Sequence, residues 1–336
     1  MEQRNNRKDD IRTEEISFVI QGPVFPEYTE AVCRSIREFA PGSEIILSTW
    51  EEADTEGLDY DKLIESADPG NFIFRLPEKM DNGTDRYPMN INRQIVSTKN
   101  GIQLATRKYV CKIRSDLKLE GLGFLSYYRK YNAEIQEPYS QALRHRIVTL
   151  CSANPKRLLP FPYYLCDWFF FGLKEDVLNL WDIPLIEEKD LRNRQEDGTY
   201  PMVDNFGNEQ YLWISFLKKF REVEIENGYA LTEENLEDSE RSYANCCIFV
   251  TAKHANVYSM KVKNTGYGAY TAFSNAGLYT ENDWIRLYNR HCFANEKPGS
   301  DFFENLLFKL SVLLRSLKKT KFRKLYEVLK RMRNGK

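Results

Sequence analysis

An α/β fold, with a mixed but mostly parallel central sheet flanked by helices, is what the sequence predicts, and two stretches carry the prediction. Ile16 to Ile20 is a short apolar strand broken at once by Gln21-Gly22-Pro23. Val32, Ile36 and Phe39 follow at helical spacing from Thr29 or the Tyr-rich turn before it, Pro41-Gly42 stops the helix, and Glu44 to Leu47 resumes as strand, which is a βαβ opening. The second stretch, Gly101 to Leu119, runs from a helix closing on Ala105 through a strand, Tyr109 to Ile113, and ends on the carboxylate of Asp116. An acid just past a strand end is either a solvated turn residue or a group placed at the ligand edge of an open sheet.

Composition bounds the rest. With 336 residues, 42% hydrophobic and 13% aromatic, the chain can bury one enlarged α/β domain over residues 16–300. A charged segment at 1–15 is expected to be disordered, and a basic helical tail is expected over 301–336. The 48 basic residues balance 49 acidic ones, so net charge says nothing about partners, although the basic residues crowd the last thirty positions; no nucleic-acid partner is expected. Seven cysteines without a CxxC spacing and only three histidines indicate neither a zinc site nor a disulfide framework, and reduced cytosolic thiols fit best. The first fifteen residues lack an apolar core, and no run reaches the roughly 18 apolar residues of a spanning helix. The expectation is a cytoplasmic protein.

Further elements follow in order. Ser48, Thr49, Trp50 and Glu51 end the second strand with groups of the kind that hold a nucleoside, although Trp50 equally suits a core, and no GxGxxG is present. Lys62 to Ile64 reads as helix, Asp68-Pro69-Gly70 as turn, and Phe72 to Phe74 as strand. Residues 78–90 read as loop, and Asn90 or Asn92 caps a helix that turns Ile95, Ile102 and Ala105 inward. Arg93 and Ser97 share one face of it, either solvated or directed to an anionic ligand. Arg144, His145 and Arg146 precede a strand at Ile147 to Cys151 and could face a phosphate. The most apolar run, Tyr163 to Leu173, contains one acid, Asp167, which must be bonded to backbone or an arginine, or face a cavity. A helix spans Lys174 to Trp181, and the polar segment 184–208 reads as a flexible loop or lid. A helix opening at Gly207 carries Glu209. Beyond it come strands near Ile248 to Thr251 and Val257 to Val262, a Gly-Tyr loop at Gly266 to Tyr270, and a helix from Asp283 to His291.

GIQLATRKYVCKIRSD reproduces, without a gap, the Gly-Ile, Ala, Tyr-hydrophobic, Asp-x-Asp spacing of family 2 glycosyltransferases of the GT-A fold. QGP (21–23), EIILSTW (44–50), NRQIVST (92–98), KIRSD (112–116) and DWFFFG (167–172) together resemble the WavE lipopolysaccharide-synthesis family over residues 16–215. That resemblance implies a GT-A-like enzyme moving a sugar from a nucleotide-sugar donor to a glycan or lipid-linked acceptor in lipopolysaccharide, O-antigen or capsule assembly. It places the donor against Gln21, Gly22, Pro23, Thr49, Trp50, Asn92, Arg93, Ser97, Arg114 and Ser115, and a divalent manganese or magnesium ion on Asp116. The chain departs from the pattern at Arg114, where the first aspartate would stand, and a cation there weakens a divalent site. Glu209 matches the Glu-Asp segment that supplies a catalytic base, with Gln210 replacing the second acid and Asp204 as substitute. Asp167 is the other catalytic candidate, a contact to the acceptor or the transferred sugar. Glu209 is also where a helix N-terminus favours an acid regardless of catalysis. His254 is either a metal ligand or an ordinary surface residue.

A non-catalytic nucleotide- or carbohydrate-binding assembly factor competes with the transferase reading, as does a nucleotidyltransferase, although QGPVFPE lacks that class's basic phosphate loop. The tail places Leu306, Leu310, Leu313, Leu314 and Leu317 on one helical face, and Phe322, Leu325, Leu329 and Met332 on a second. From Lys309 to Lys336 eleven lysines and arginines face one acid, Glu327, the composition of a helix lying on an anionic membrane, or else packed on the catalytic domain or a partner with its charged side solvated.

Overall fold

The computed structural model describes residues 10–79, 83–132, 135–151, 155–157, 160–261 and 277–318. The chain opens with β1 (Ile16–Gln21), α1 (Pro26–Phe39), β2 (Glu44–Trp50), β3 (Lys62–Ser66), β4 (Phe72–Arg75), β5 (Arg86–Met89) and α2 (Ile91–Leu104). It continues through β6 (Tyr109–Arg114), β7 (Leu117–Leu119), α3 (Gly123–Tyr131), β8 (Ile147–Leu150), β9 (Phe169–Leu173), α4 (Lys174–Trp181) and β10 (Tyr200–Pro201). Then come α5 (Asn208–Leu217), α6 (Glu233–Cys246), β11 (Cys247–Val250), α7 (Ala252–Ala255), β12 (Val257–Ser259), α8 (Glu281–Cys292) and α9 (Phe302–Lys318).

Strand β1 is buried at all its positions, which is what a strand covered by helices on both faces requires and why it reads as a continuous apolar run. The central sheet has the order β11-β8-β9-β6-β1-β2-β3. Its pairings are parallel except where β9 meets β6 and β8. Strands β10-β4-β5 form a second sheet, and β12-β7 a third.

Helix α2 lies on β1 and β2 at unusually close range because of Gly101. A Cβ there would sit 2.5 Å from Val19 Cγ1 and 2.9 Å from Ser48 Cβ. Glu44, at the start of β2, ties the opposite end of the sheet together: it accepts from Ser17 Oγ and from the backbone and hydroxyl of Thr106, and pairs with Lys62 Nζ at 2.7 Å.

Several expectations change. Lys62 to Ile64 is strand, not helix: Leu63 pairs with Leu47 and Ile64 with Ser48, and sheet pairing decides a run too short to establish a helical period. Helix α1 starts at Pro26, in the turn before Thr29 rather than at Thr29 itself, whose hydroxyl accepts the Phe25 N–H. Strand β2 runs on through Ser48, Thr49 and Trp50. The segment 184–208 is fastened rather than free. Asn92 donates to Ile186 O and accepts from Ile186 N, Asp197 pairs with Arg75 and Arg86, and Tyr200 joins β4. At the ends, Thr13–Glu15 forms a 3-10 turn before β1, and α9 follows residue 301. Residues 1–9, the loop at Gly266 to Tyr270 and the second tail face from Phe322 onward lie outside the described residues. Among the described residues no helix is long and apolar enough to cross a membrane.

In an ordinary helix interior Gly→Ala stabilises by about 1 kcal/mol. At Gly101 the overlap with Val19 and Ser48 outweighs that gain, so Gly101→Ala should destabilise by about 1–3 kcal/mol in urea titration. An equal or higher unfolding midpoint would show that α2 does not sit this close to the sheet.

Candidate active site

The site is built where the sheet changes direction. From β1 the chain extends one way through β2 and β3, whereas β6 adds on the other side of β1. The loops leaving the carboxyl ends of β1 and β6 therefore separate and open a crevice, the position where open α/β sheets take ligands. Gly22 makes the turn after β1 with φ +121°, a conformation glycine adopts without strain. Its N–H donates to Ser48 O at 3.1 Å. Ser115, just past β6, laces the two loops: its N–H donates to Gln21 O at 3.1 Å and its hydroxyl to Pro23 O at 2.7 Å. Gln21 Nε2 donates to Ser97 Oγ at 2.8 Å, and that hydroxyl donates to Arg93 O at 2.7 Å. The result is a cleft of about 670 Å³.

Gln21, Gly22, Pro23, Trp50, Arg93, Arg114, Ser115, Asp116, Asp167 and Glu209 all line it. At its floor Arg114 grips Asp116 with two parallel bonds, Nε to Oδ1 at 3.0 Å and Nη2 to Oδ2 at 2.6 Å. The guanidinium also lies over the Trp168 ring, 4.9 Å from its centroid. Burial opposes the Arg114 charge, but Asp116 and Asp167 outweigh it and hold the guanidinium above its ordinary pKa. Asp116 is 1% exposed, and both of its oxygens are engaged by Arg114. This donor set does not fit a divalent cation, which would have to displace a bidentate, charge-assisted pair. Among the described residues no group of three or more histidine, cysteine or acidic side chains is arranged to hold a metal.

Across the cleft stand two buried carboxyls. Asp167 reaches it from the turn before β9, and its Oδ1 is buried without a hydrogen-bond partner. Glu209, on the first turn of α5, is pushed well above the usual carboxylate range by burial first and the nearby Asp167 carboxylate second; a bond with Tyr164 opposes the rise. Gln210, beside it, is a fastener: Nε2 donates to Pro162 O and Gly228 O, both at 3.0 Å, and Oε1 accepts the Gly207 N–H. Behind Asp167, the fully buried Lys112 donates to the Asp167 backbone carbonyl and lies over the Trp181 ring. Burial pushes its ammonium down to about 8.

The family model described as WavE lipopolysaccharide synthesis matches residues 16–322. The chain belongs to the WavE family. Membership assigns this WavE chain a role in lipopolysaccharide synthesis. No curated protein matches it.

Some residues expected at the WavE site stand elsewhere. Thr49 is buried on the face of β2 opposite Trp50, paired with Glu65. Asn92 spends its side chain on Ile186, and Ser97 acts one step back, by orienting Gln21. Asp204 bonds Asn193. Arg146 is buried against Ala244 O, Arg144 and His145 give their backbone N–H groups to Asp176, and His145 contacts Tyr128. His254 pairs with Glu281 at 2.8 Å. None of these lines the cleft.

Lys112, Tyr164, Trp168, Asn208, Asp68 and Lys261 do line it and were not expected there. Lys112 had a signal: a lysine between Cys111 and Ile113 in a buried strand, on the same face as Arg114 by two-residue alternation, needs a polar partner.

Glu209 generates a stability prediction whose sign follows from its raised pKa. An unfolded glutamate ionises near its ordinary value of 4.5, while the folded one keeps its proton to higher pH, so folding loses stability as pH rises through that interval. Glu209→Gln removes the penalty. Its melting temperature relative to wild type should rise between pH 5 and 8 in paired thermal scans, and a pH-independent difference would refute the assignment.

Proposed function

We propose that this WavE chain is a GT-A-like glycosyltransferase that passes a sugar from a nucleotide-sugar donor to a glycan or lipid-linked acceptor. The observation that carries the reading is the pairing, in one cleft at the sheet's switch point, of two buried carboxyls with a wall of cations. Arg93, Arg114 and Lys261 line the same cleft as Asp167 and Glu209. Sugar transfer needs both: the acceptor hydroxyl must lose a proton as its oxygen attacks the anomeric carbon. The bond to phosphate breaks with its electron pair on the departing nucleoside diphosphate, which cations stabilise.

In this reading the Asp167–Glu209 pair takes the proton. Burial and the neighbouring Asp167 raise the pKa of Glu209, which brings a base close to working pH. Trp50, half-buried on the cleft wall, offers a face to the nucleoside base. Gly22 lets the backbone come close to the donor. Arg93 is held by Asp68, with Nε to Oδ1 at 2.7 Å and Nη2 to Oδ2 at 2.6 Å, and so is preset for phosphate rather than free to wander.

A non-catalytic binding factor is favoured by one observation, the Arg114 grip on Asp116. Turnover separates the two. With a sugar nucleotide found by thermal-shift screening, Glu209→Gln should lower the transfer rate on the order of a hundredfold with donor affinity unchanged. An unaltered rate would move the base off Glu209, and no turnover by wild type on any donor would favour the binding factor.

For a lipid-linked acceptor we infer that α9 docks on an anionic, cytoplasm-facing membrane surface. Phe303, Leu306, Leu310 and Leu313 form one face of this helix and are 61%, 42%, 39% and 54% exposed. The sequence from Lys309 onward supplies eleven cations against one acid. Each cation near anionic lipid contributes about 1 kcal/mol. Changing these four residues to serine in the full-length protein should abolish sedimentation with phosphatidylglycerol vesicles at low salt, and wild-type sedimentation by the variant would exclude this face as the anchor.

A further inference from the structure

We propose that Arg114 replaces a divalent metal, so that the cleft binds the diphosphate of its donor directly through guanidinium and ammonium groups. The inference rests on the nucleotide-sugar reading above and adds how that ligand's charge is met.

A catalytic divalent ion is held by one or two ionised carboxylates with open oxygens, plus substrate phosphates. Here the carboxylate at the strand end is closed: Arg114 takes both Asp116 oxygens in a planar fork, and the pair is wedged against Trp168. Charge in the cleft points the same way. Arg93, Lys112, Arg114 and Lys261 stand against the carboxyls of Asp68, Asp116, Asp167 and Glu209. Arg93, Arg114 and Lys261 thus already bring cations to the cleft lining, where a diphosphate can meet them without a further cation. Nor is Arg114 used up by Asp116. Nε and Nη2 make the pair, and Nη1 makes no hydrogen bond to any described residue, which leaves N–H groups of a rigid donor for phosphate. Asp116 then serves as a positioning residue that fixes the guanidinium plane.

The test is calorimetric titration of the full-length protein with UDP, GDP, ADP, TDP and inorganic pyrophosphate, in EDTA and in excess manganese. The expected result is one diphosphate bound with equal affinity in both buffers, and weakened on the order of tenfold or more in EDTA by Arg114→Met. Arg114→Asp, which recreates two carboxylates at two-residue spacing, should bind that diphosphate only with manganese. Wild-type binding that requires manganese overturns the proposal, as does an Arg114→Met protein with wild-type affinity. If Arg114→Met fails to fold by circular dichroism, Arg114→Lys keeps a charge without the fork. It should bind weakly in EDTA, and tight binding restored by manganese would again overturn the idea. Absence of binding by any diphosphate in either buffer defeats the nucleotide-sugar reading itself, an outcome distinct from manganese-dependent binding.

Discussion

Parallel pairing of β1 with β2 on one side and β6 on the other is the constraint from which the site follows. Ser17 to Gln21 register against Glu44 to Ser48, and Ile16 to Gln21 against Tyr109 to Arg114, so three strand ends finish at one edge. Residues remote in sequence thereby become neighbours without any loop having to reach: Gln21, Trp50 and Arg114 are brought together by register alone. Helix α2 must then come down hard on the sheet for Ser97 to meet Gln21, and Gly101 permits that approach. A slip of one residue in β6 would turn Lys112 and Arg114 to the opposite face and dissolve the floor of the cleft.

Much of this was legible in the sequence, because strand and helix periods report which face a residue occupies. Tyr109 to Ile113, Lys174 to Trp181 and the helix from Ile91 were readable from local pattern, as was Asp116 beyond a strand end. Errors arose where local pattern is silent. Ser48 to Glu51 read as a strand end whose groups could all hold a nucleoside, so the alternation that sends Trp50 to the cleft and Thr49 away from it went unused. Lys62 to Ile64 is too short for any period and was decided by the neighbouring β2. Asn92 sits at a helix start where several directions are open, and Ile186, distant in sequence, claims it. Lys261 and Tyr164 reach the cleft from segments with no regular pattern of their own.

The electrostatics of the cleft are likewise non-local. Glu209 is an unremarkable helix N-terminal acid in sequence, and its elevated pKa comes from being walled in and set near Asp167. Asp167 in turn is positioned by Lys112, which holds the backbone of its turn rather than its carboxylate. Spending the ammonium on a carbonyl leaves Oδ1 of Asp167 unpartnered, a buried acceptor whose desolvation is costly unless a ligand hydroxyl meets it. Burial is thus costly at both side chains, through a raised pKa at Glu209 and an unmet acceptor at Asp167.

The placement of the tryptophans has an optical consequence. Of the five in the chain, Trp181, Trp213 and Trp284 are sealed in the core. Trp50 and Trp168 both line the cleft, the second beneath the Arg114 guanidinium. Trp213 and Trp284 lie away from the cleft lining, while Trp181 carries the ammonium of the cleft residue Lys112 over its ring. A ligand in the cleft meets Trp50 and Trp168 directly, so intrinsic fluorescence gives a titration signal without a dye or a label.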